Sequence, residues 1–132
     1  MAGVGMKGAA TVLLVEDYAD TRDMMRTILE MKGCRVVEAA DGQAAVELAA
    51  EHCASLDLIL MDLNLPILSG YEATRLIVAH DRTCHVPVVA FSAQCSGERR
   101  QRALAAARRE CLPKPVNFAM LNDVVARYCR SA

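Results

Sequence analysis

"DLILMDLNLP", residues 57–66, places four apolar side chains between two aspartates and then stops at a proline. An unbroken apolar run of this length is typical of a strand that is buried on both faces of a parallel sheet. The second aspartate, Asp62, follows the run directly and precedes a short turn. The stretch therefore predicts a central strand with a carboxylate at its carboxyl end.

The composition indicates one small domain with an aliphatic core. The chain has 132 residues, of which 54% are hydrophobic and only 4% aromatic, and its formal net charge is −1. This charge gives no general attraction to nucleic acid or to an anionic membrane. No apolar run approaches the roughly 18 residues of a membrane span. We therefore expect a cytoplasmic protein with no direct nucleic-acid or membrane partner.

Six cysteines lie far apart in the sequence, without a Cys-x-x-Cys pair. This spacing favours reduced, mostly buried thiols over a disulfide framework. The first ten residues are small and glycine-rich, so we expect a flexible leader over 1–10 and one domain over 11–130.

Short apolar runs alternate with amphipathic stretches along the chain. The predicted strands cover 11–15, 34–39, 57–61, 86–91 and 110–113. Helix-capping residues stand between them: Asp41 before 42–52, Ser69 before 70–80, Ser96 before 97–108, and Asp20 and Asn117 at the starts of two more helices. In the helix after Asp20, one face carries Met24, Met25, Ile28 and Leu29, and in the last helix the apolar residues Phe118, Leu121, Val125 and Tyr128 recur at helical spacing.

Five strand–helix units in a row predict a parallel sheet covered on both faces. The first, third and fourth strands are apolar at nearly every position and belong in the centre, whereas the second carries charges and the fifth is short. We expect a flavodoxin-like (βα)5 three-layer sandwich with strand order 2-1-3-4-5. In such sheets the ligand crevice lies at the carboxyl ends of the strands, beside the switch point between strands 1 and 3.

Polar residues end the strands around that crevice: Glu16 and Asp17 after the first strand, Asp62 after the third, Ser92 after the fourth and Lys114 after the fifth. Clustered carboxylates repel one another unless a cation lies between them. Mg²⁺ prefers such oxygen ligands together with phosphate oxygens. A carboxylate can also be a nucleophile toward a phosphoryl group. The pattern predicts a magnesium-assisted phosphoacceptor at Asp62.

On these residues the chain resembles the receiver domain of two-component response regulators, of the kind found in chemotaxis regulators, over roughly 10–130. The matching positions are Glu16-Asp17, Asp62, Pro66, Gly70, Ser92-Ala93 and Lys114-Pro115, with 30 residues from Asp62 to Ser92 and 52 to Lys114. The resemblance implies phosphorylation of Asp62 by a histidine kinase or a histidine phosphotransfer protein. It implies a signalling switch rather than an enzyme.

The resemblance also assigns roles around Asp62. Asp17 would bind magnesium directly, Glu16 through water, and Asn64 through its backbone carbonyl. Ser92 and Lys114 would contact the phosphoryl group. Asn64 and Gln94 occupy the positions that tune the lifetime of the aspartyl phosphate in this family.

The chain departs from the family pattern at Cys111, where the family usually has an aromatic switch residue. Two alternatives to the phosphorylated switch are a phosphate-independent pseudo-receiver and an aspartate-nucleophile phosphohydrolase of the haloacid dehalogenase type.

The resemblance implies a downstream effector protein that binds through the fourth helix (97–108), the fifth strand and the last helix. The basic, alanine-rich segment 98–109 is either a solvated helix face or part of this docking surface.

Overall fold

The computed structural model of the chain describes residues 9–93 and 108–129. In these residues it has five strands: β1 (Thr11–Val15), β2 (Arg35–Ala39), β3 (Leu56–Asp62), β4 (Val88–Ser92) and β5 (Arg108–Pro113). Four helices accompany them: α1 (Ala19–Met31), α2 (Gly42–Glu51), α3 (Gly70–Ala79) and a C-terminal helix (Phe118–Tyr128).

The strands form one parallel sheet in the order β2-β1-β3-β4-β5. This is the predicted flavodoxin-like order, and it is confirmed. The register sets Val15 of β1 beside Met61 of β3, and Asp62 beside Phe91 of β4. The carboxyl ends of the three central strands therefore meet at one edge of the sheet.

Alternate side chains of the central strands build two separate cores. Leu13 and Val15 pack on one face, with buried side chains of α2 and α3. Val12 and Leu14 pack on the opposite face, against α1 and the C-terminal helix. Because successive strand residues point to opposite faces, an unbroken apolar run fills both layers. This is the physical reason why β1, β3 and β4 are apolar at nearly every position.

Three of the four described helices begin at the predicted caps, including the C-terminal helix at Asn117, and one does not. The Asp41 and Ser69 side chains accept hydrogen bonds from the backbone N–H groups of Ala44 and Glu72, and thereby cap α2 and α3. Asp20, by contrast, does not cap α1, because it lies inside the first turn. Tyr18 occupies the N-cap position and makes no side-chain capping bond.

Two helices leave part of their apolar face exposed. Met25 and Leu29 of α1 are fully buried, but Met24 is 46% exposed. In the C-terminal helix, which begins after Asn117 as predicted, Leu121 is buried and Phe118 is 47% exposed. Helical spacing gives the mean direction of a face, whereas the neighbouring elements decide how wide the covered stripe is.

β1 has its predicted bounds, and the other strands differ from the prediction by one or two residues at one or both ends. β4, for example, begins at Val88 rather than at residue 86. The helix predicted over 97–108 lies outside the described residues except at its last position, where β5 has already begun.

The prediction that the cysteines are reduced thiols is correct for four of them and wrong for one. Cys34, Cys53, Cys84 and Cys129 are not disulfide-bonded, as expected. Cys111 is disulfide-bonded, contrary to the prediction. Wide spacing along the chain says nothing about distance in the folded sheet. In the part of the chain that the structure describes, no helix combines the length and apolar character needed to cross a membrane.

Candidate functional site

Asp62 ends β3 with its side chain fully buried and its two carboxylate oxygens bonded differently. One oxygen, Oδ1, accepts a hydrogen bond of 3.0 Å from the backbone N–H of Asn64. The other, Oδ2, accepts one of 3.0 Å from Nζ of Lys114. A buried carboxylate needs such partners because its desolvation is costly. The local turn and a distant lysine together hold the group in place.

Glu16 and Asp17 follow β1, which is the neighbour of β3. One ligand atom each from Glu16, Asp17 and Asp62 lies within 4.8 Å of the others. Across residues 9–93 and 108–129, these three residues form the group of side chains able to hold a metal ion. Glu16 is buried, whereas Asp17 is exposed at the mouth of the crevice.

Glu16 has one satisfied and one unsatisfied oxygen. Its Oε2 accepts a hydrogen bond of 3.0 Å from the N–H of Tyr18. Its Oε1 is buried and has no hydrogen-bond partner among the described residues. Nζ of Lys114 lies 3.7 Å from Oε1, which allows charge attraction but exceeds a hydrogen-bond distance. An unpartnered buried oxygen of this kind needs a further cation or donor.

The environment raises the pKa of Glu16 to about 7. Desolvation by burial is the main cause, and the negative charge of Asp62 adds to it. The N–H of Tyr18 and the charge of Lys114 act in the opposite direction but do not cancel the effect. The surrounding groups therefore balance the negative charge of Glu16 poorly. A cation bound in the crevice would stabilise the charged form of its carboxylate.

Lys114 follows β5 and is placed by the sheet. Its backbone N–H donates a hydrogen bond of 2.9 Å to the carbonyl of Ser92, the last residue of β4. Its ammonium group also lies 5.5 Å from the centre of the Phe91 ring. The peptide bond between Lys114 and Pro115 is cis. Ser92 is buried one residue beyond Phe91, which is the register partner of Asp62.

The loop from β3 to α3 passes close to the backbone of Asp62. A Cβ atom on Gly70 would lie 2.1 Å from the carbonyl oxygen of Asp62, so this approach requires glycine. Leu68 donates a hydrogen bond of 2.7 Å to the carbonyl of Pro66, which closes a three-residue turn with Ile67 at its centre. Ile67 has a positive φ of 69°. A branched side chain rarely adopts that conformation.

A cavity of about 680 Å³ opens above the carboxylates. Its lining combines the polar groups with apolar or aromatic side chains, among them Tyr18, Met24, Met25 and Val116. Tyr18 is 62% exposed. The sequence pattern singled out the polar residues but missed this apolar part of the lining. Nothing in the pattern distinguished Met24 and Tyr18 from residues of an ordinary helix start.

The donor set fits a divalent cation. Three carboxylates from two adjacent strand ends share one crevice, and one buried oxygen has no hydrogen-bond partner in the described structure. Hard oxygen ligands of this type suit Mg²⁺. Asn64 follows Asp62 by two residues and lines the same cavity, so its backbone lies near the carboxylates.

The fold and the crevice define a flavodoxin-like domain with an acidic site at the switch point of its sheet. The chain belongs to the response regulator receiver domain family, whose model matches residues 12–126. It is 30% identical over 122 residues to the polar-differentiation response regulator DivK of Brucella anthropi, covering 92% of this chain and 98% of DivK.

Two solved structures show the same fold. The receiver domain of the sensor histidine kinase PA1611 from Pseudomonas aeruginosa, with a magnesium ion coordinated in its active-site cleft, has a TM-score of 0.84 and 36% identity. The match covers 92% of this chain and 98% of that one. The receiver domain of Ssk1 from Saccharomyces cerevisiae, in complex with the histidine phosphotransfer protein Ypd1, has a TM-score of 0.80 and 30% identity. That match covers 92% and 89% of the two chains.

Proposed function

We propose that this receiver domain is a signalling switch that accepts a phosphoryl group on Asp62. The main support is the geometry around the Asp62 carboxylate. Its Oδ2 accepts a hydrogen bond from Lys114, and one ligand atom each from Glu16, Asp17 and Asp62 lies within 4.8 Å of the others. Phosphoryl transfer needs a positioned nucleophile and positive charge near the transferred oxygens, and little other covalent help from the protein. Asp62 and Lys114 would supply these two requirements.

In the proposed reaction an oxygen of Asp62 forms the new bond to phosphorus while the bond from phosphorus to the donor breaks. Lys114 would move its ammonium from the free carboxylate to the phosphoryl oxygens, since it already lies 3.0 Å from Oδ2. Ser92 would offer its hydroxyl from the end of the neighbouring strand. The N–H of Asn64 keeps Oδ1 oriented, which fixes the direction of attack.

Mg²⁺ is the proposed cofactor, held by Glu16, Asp17, Asp62 and the backbone carbonyl of Asn64. When bound, it would neutralise charge on the carboxylates and on the transferred phosphoryl oxygens. Phosphorylation then adds about −1.5 to −2 charges to the crevice. This charge would shift the population between two arrangements of the neighbouring loops, which is how the domain would signal.

The proposed donor is a histidine kinase or a histidine phosphotransfer protein, in the cytoplasm. The complex of Ssk1 with Ypd1 supports this class of partner. Tyr18 and Met24 expose apolar side chains at the wall of the cavity, where a protein donor could cover them. The downstream effector would bind through the segment 97–108, β5 and the C-terminal helix.

Intact-mass measurement tests the acceptor. After incubation with acetyl phosphate and Mg²⁺, we expect one phosphate adduct on the wild-type chain and none on Asp62→Asn. Asp41→Asn is the matched control, because asparagine caps a helix as well as aspartate does and Asp41 lies outside the crevice. That variant should keep the adduct. An adduct on Asp62→Asn would contradict the proposal.

A phosphate-independent binding module is the second candidate, because Cys111 stands in β5 where the family usually has its switch aromatic. A wild-type chain that binds Mg²⁺ but takes no phosphate from acetyl phosphate would favour that candidate. Repeated release of phosphate from small esters would instead favour a phosphohydrolase.

A further inference from the structure

At the amino-terminal edge of the sheet, opposite the carboxylate crevice, two cysteines lie side by side. Cys34 immediately precedes β2, and Cys129 is the C-cap residue of the C-terminal helix. Neither is disulfide-bonded, both are 7% exposed, and both belong to the same core cluster. Residues almost a hundred positions apart are thus brought together by the packing of α1 against the C-terminal helix.

The two thiols contact each other through a hydrogen bond between their side chains. This bond lowers the pKa of the Cys34 thiol, against the opposing effects of burial and of the nearby Asp57 charge. A thiol held more easily as thiolate is the better nucleophile in exchange with a disulfide. Cys34 is therefore the candidate for the attacking thiol.

Cys34 is also the thiol that a small reagent can reach. It lines a cavity of about 440 Å³ at this edge of the sheet. Three exposed residues, Glu30, Arg35 and Ser55, share the lining, so the cavity meets solvent. Cys129 does not line that cavity. A small disulfide could enter beside Cys34 while Cys129 stays behind it.

We propose that Cys34 and Cys129 form a redox modification site, in which a small-molecule disulfide converts the two thiols into an intramolecular disulfide. The Cys34 sulfur attacks the incoming disulfide, forms a mixed disulfide and expels one reduced thiol. The Cys129 sulfur then attacks Cys34, forms the intramolecular bond and expels the second reduced thiol. The protein loses two hydrogens and two electrons, and the small disulfide gains them.

The bridge would fasten the end of the C-terminal helix to the start of β2. A cross-link between two such distant residues restricts the unfolded chain and thereby stabilises the folded one. We therefore expect the oxidised protein to unfold at a higher temperature than the reduced protein. The C-terminal helix should also exchange its amide hydrogens more slowly after oxidation, because its last turn can no longer fray freely.

The test is peptide mapping of the full chain equilibrated with oxidised and reduced glutathione. Free thiols are blocked with N-ethylmaleimide before digestion. We expect a linked pair of peptides that contain Cys34 and Cys129. In Cys129→Ala, the resolving thiol is missing, so Cys34 should accumulate as its glutathione mixed disulfide. In Cys34→Ala, Cys129 should be recovered as the maleimide adduct.

Cys84→Ala is the matched control, because Cys84 is a free but exposed cysteine on the connection from α3 to β4. It should leave the bridge unchanged. The proposal is overturned if Cys34 and Cys129 of the wild-type chain are both recovered as maleimide adducts while Cys84 carries glutathione. It is equally overturned if either residue is linked to another cysteine. The wild-type map decides the question even if an alanine variant folds poorly.

Discussion

Glu16 buries a carboxylate beside two other acidic residues, and its pKa is raised to about 7. Between pH 4.5 and about 7 the folded protein holds a proton on Glu16 that the unfolded chain has released. Stability without metal therefore falls as pH rises through this window, and the loss is complete above it. Since one pKa unit corresponds to about 1.4 kcal/mol, the loss is at most about 3 to 4 kcal/mol.

Glu16→Gln removes this ionisation while it keeps the shape of the side chain. In chelator-treated protein, we expect the variant to be more stable than the wild type above pH 7 and close to it below pH 4.5. Urea unfolding at a series of pH values measures the difference. A difference that does not change with pH would show that burial does not control the ionisation of Glu16.

At the scale of a single element, α2 starts at a side-chain cap and α1 does not. The Asp41 carboxylate accepts a hydrogen bond of 2.8 Å from the N–H of Ala44. Asp20 is exposed in the first turn of α1 and makes no such bond. We expect Asp41→Ala to lower the free energy of unfolding by about 1 kcal/mol, and Asp20→Ala by about 0.5 kcal/mol or less. Chemical denaturation of both variants checks the order, and equal losses would contradict it.

The junction of β3 and α3 depends on one glycine. A methyl group at Gly70 would meet the carbonyl oxygen of Asp62 at 2.1 Å, and this backbone atom cannot move without displacing Asp62, the proposed phosphoacceptor. We expect Gly70→Ala to lower the free energy of unfolding by about 2 kcal/mol or more, because the added methyl group overpacks this contact. It should also slow the appearance of the phosphate adduct on Asp62.

Gly33→Ala separates this steric effect from backbone strain. Gly33 has a φ of +85°, but nothing lies within 4 Å of the position that a Cβ would take. Its replacement should lower the free energy of unfolding by about 1 kcal/mol through backbone strain alone, and it should leave the rate of adduct formation unchanged. If both glycine variants slowed phosphorylation equally, the effect would be due to general destabilisation rather than to the contact with Asp62.

Across the whole molecule, the acidic site joins the ends of two strands, so metal binding should stabilise the entire fold. A ligand that binds only the folded state at a hundred times its Kd stabilises it by about 2.7 kcal/mol. We expect Mg²⁺ to raise the melting temperature of the wild-type chain in a concentration-dependent way. Asp17→Asn, which removes one exposed carboxylate of the group, should lose most of this rise.

Asp20→Asn is the control for charge alone, because Asp20 is exposed nearby but lies outside the group of carboxylates proposed to hold the metal. It should keep the full response to Mg²⁺. An equal loss in Asp17→Asn and Asp20→Asn would mean that Mg²⁺ acts by general screening. Calorimetry with Mg²⁺ titration distinguishes the two cases.

The sequence alone determined the strand order and the residues that meet at the crevice. Strands buried on both faces are apolar at every position, and in a parallel sheet all carboxyl ends meet at one edge, so local pattern and topology together predict the cluster. The caps at Asp41, Ser69 and Asn117 could also be predicted, because a capping bond spans only three residues.

Only the tertiary structure decided which side chains are covered and which distant groups touch. It exposed Met24 and Phe118, left one oxygen of Glu16 without a hydrogen-bond partner in the described residues, and placed Cys34 beside Cys129. These outcomes depend on how helices from different parts of the chain pack over the sheet. Local spacing carries no information about that packing, since the contacts join residues that the sequence keeps far apart.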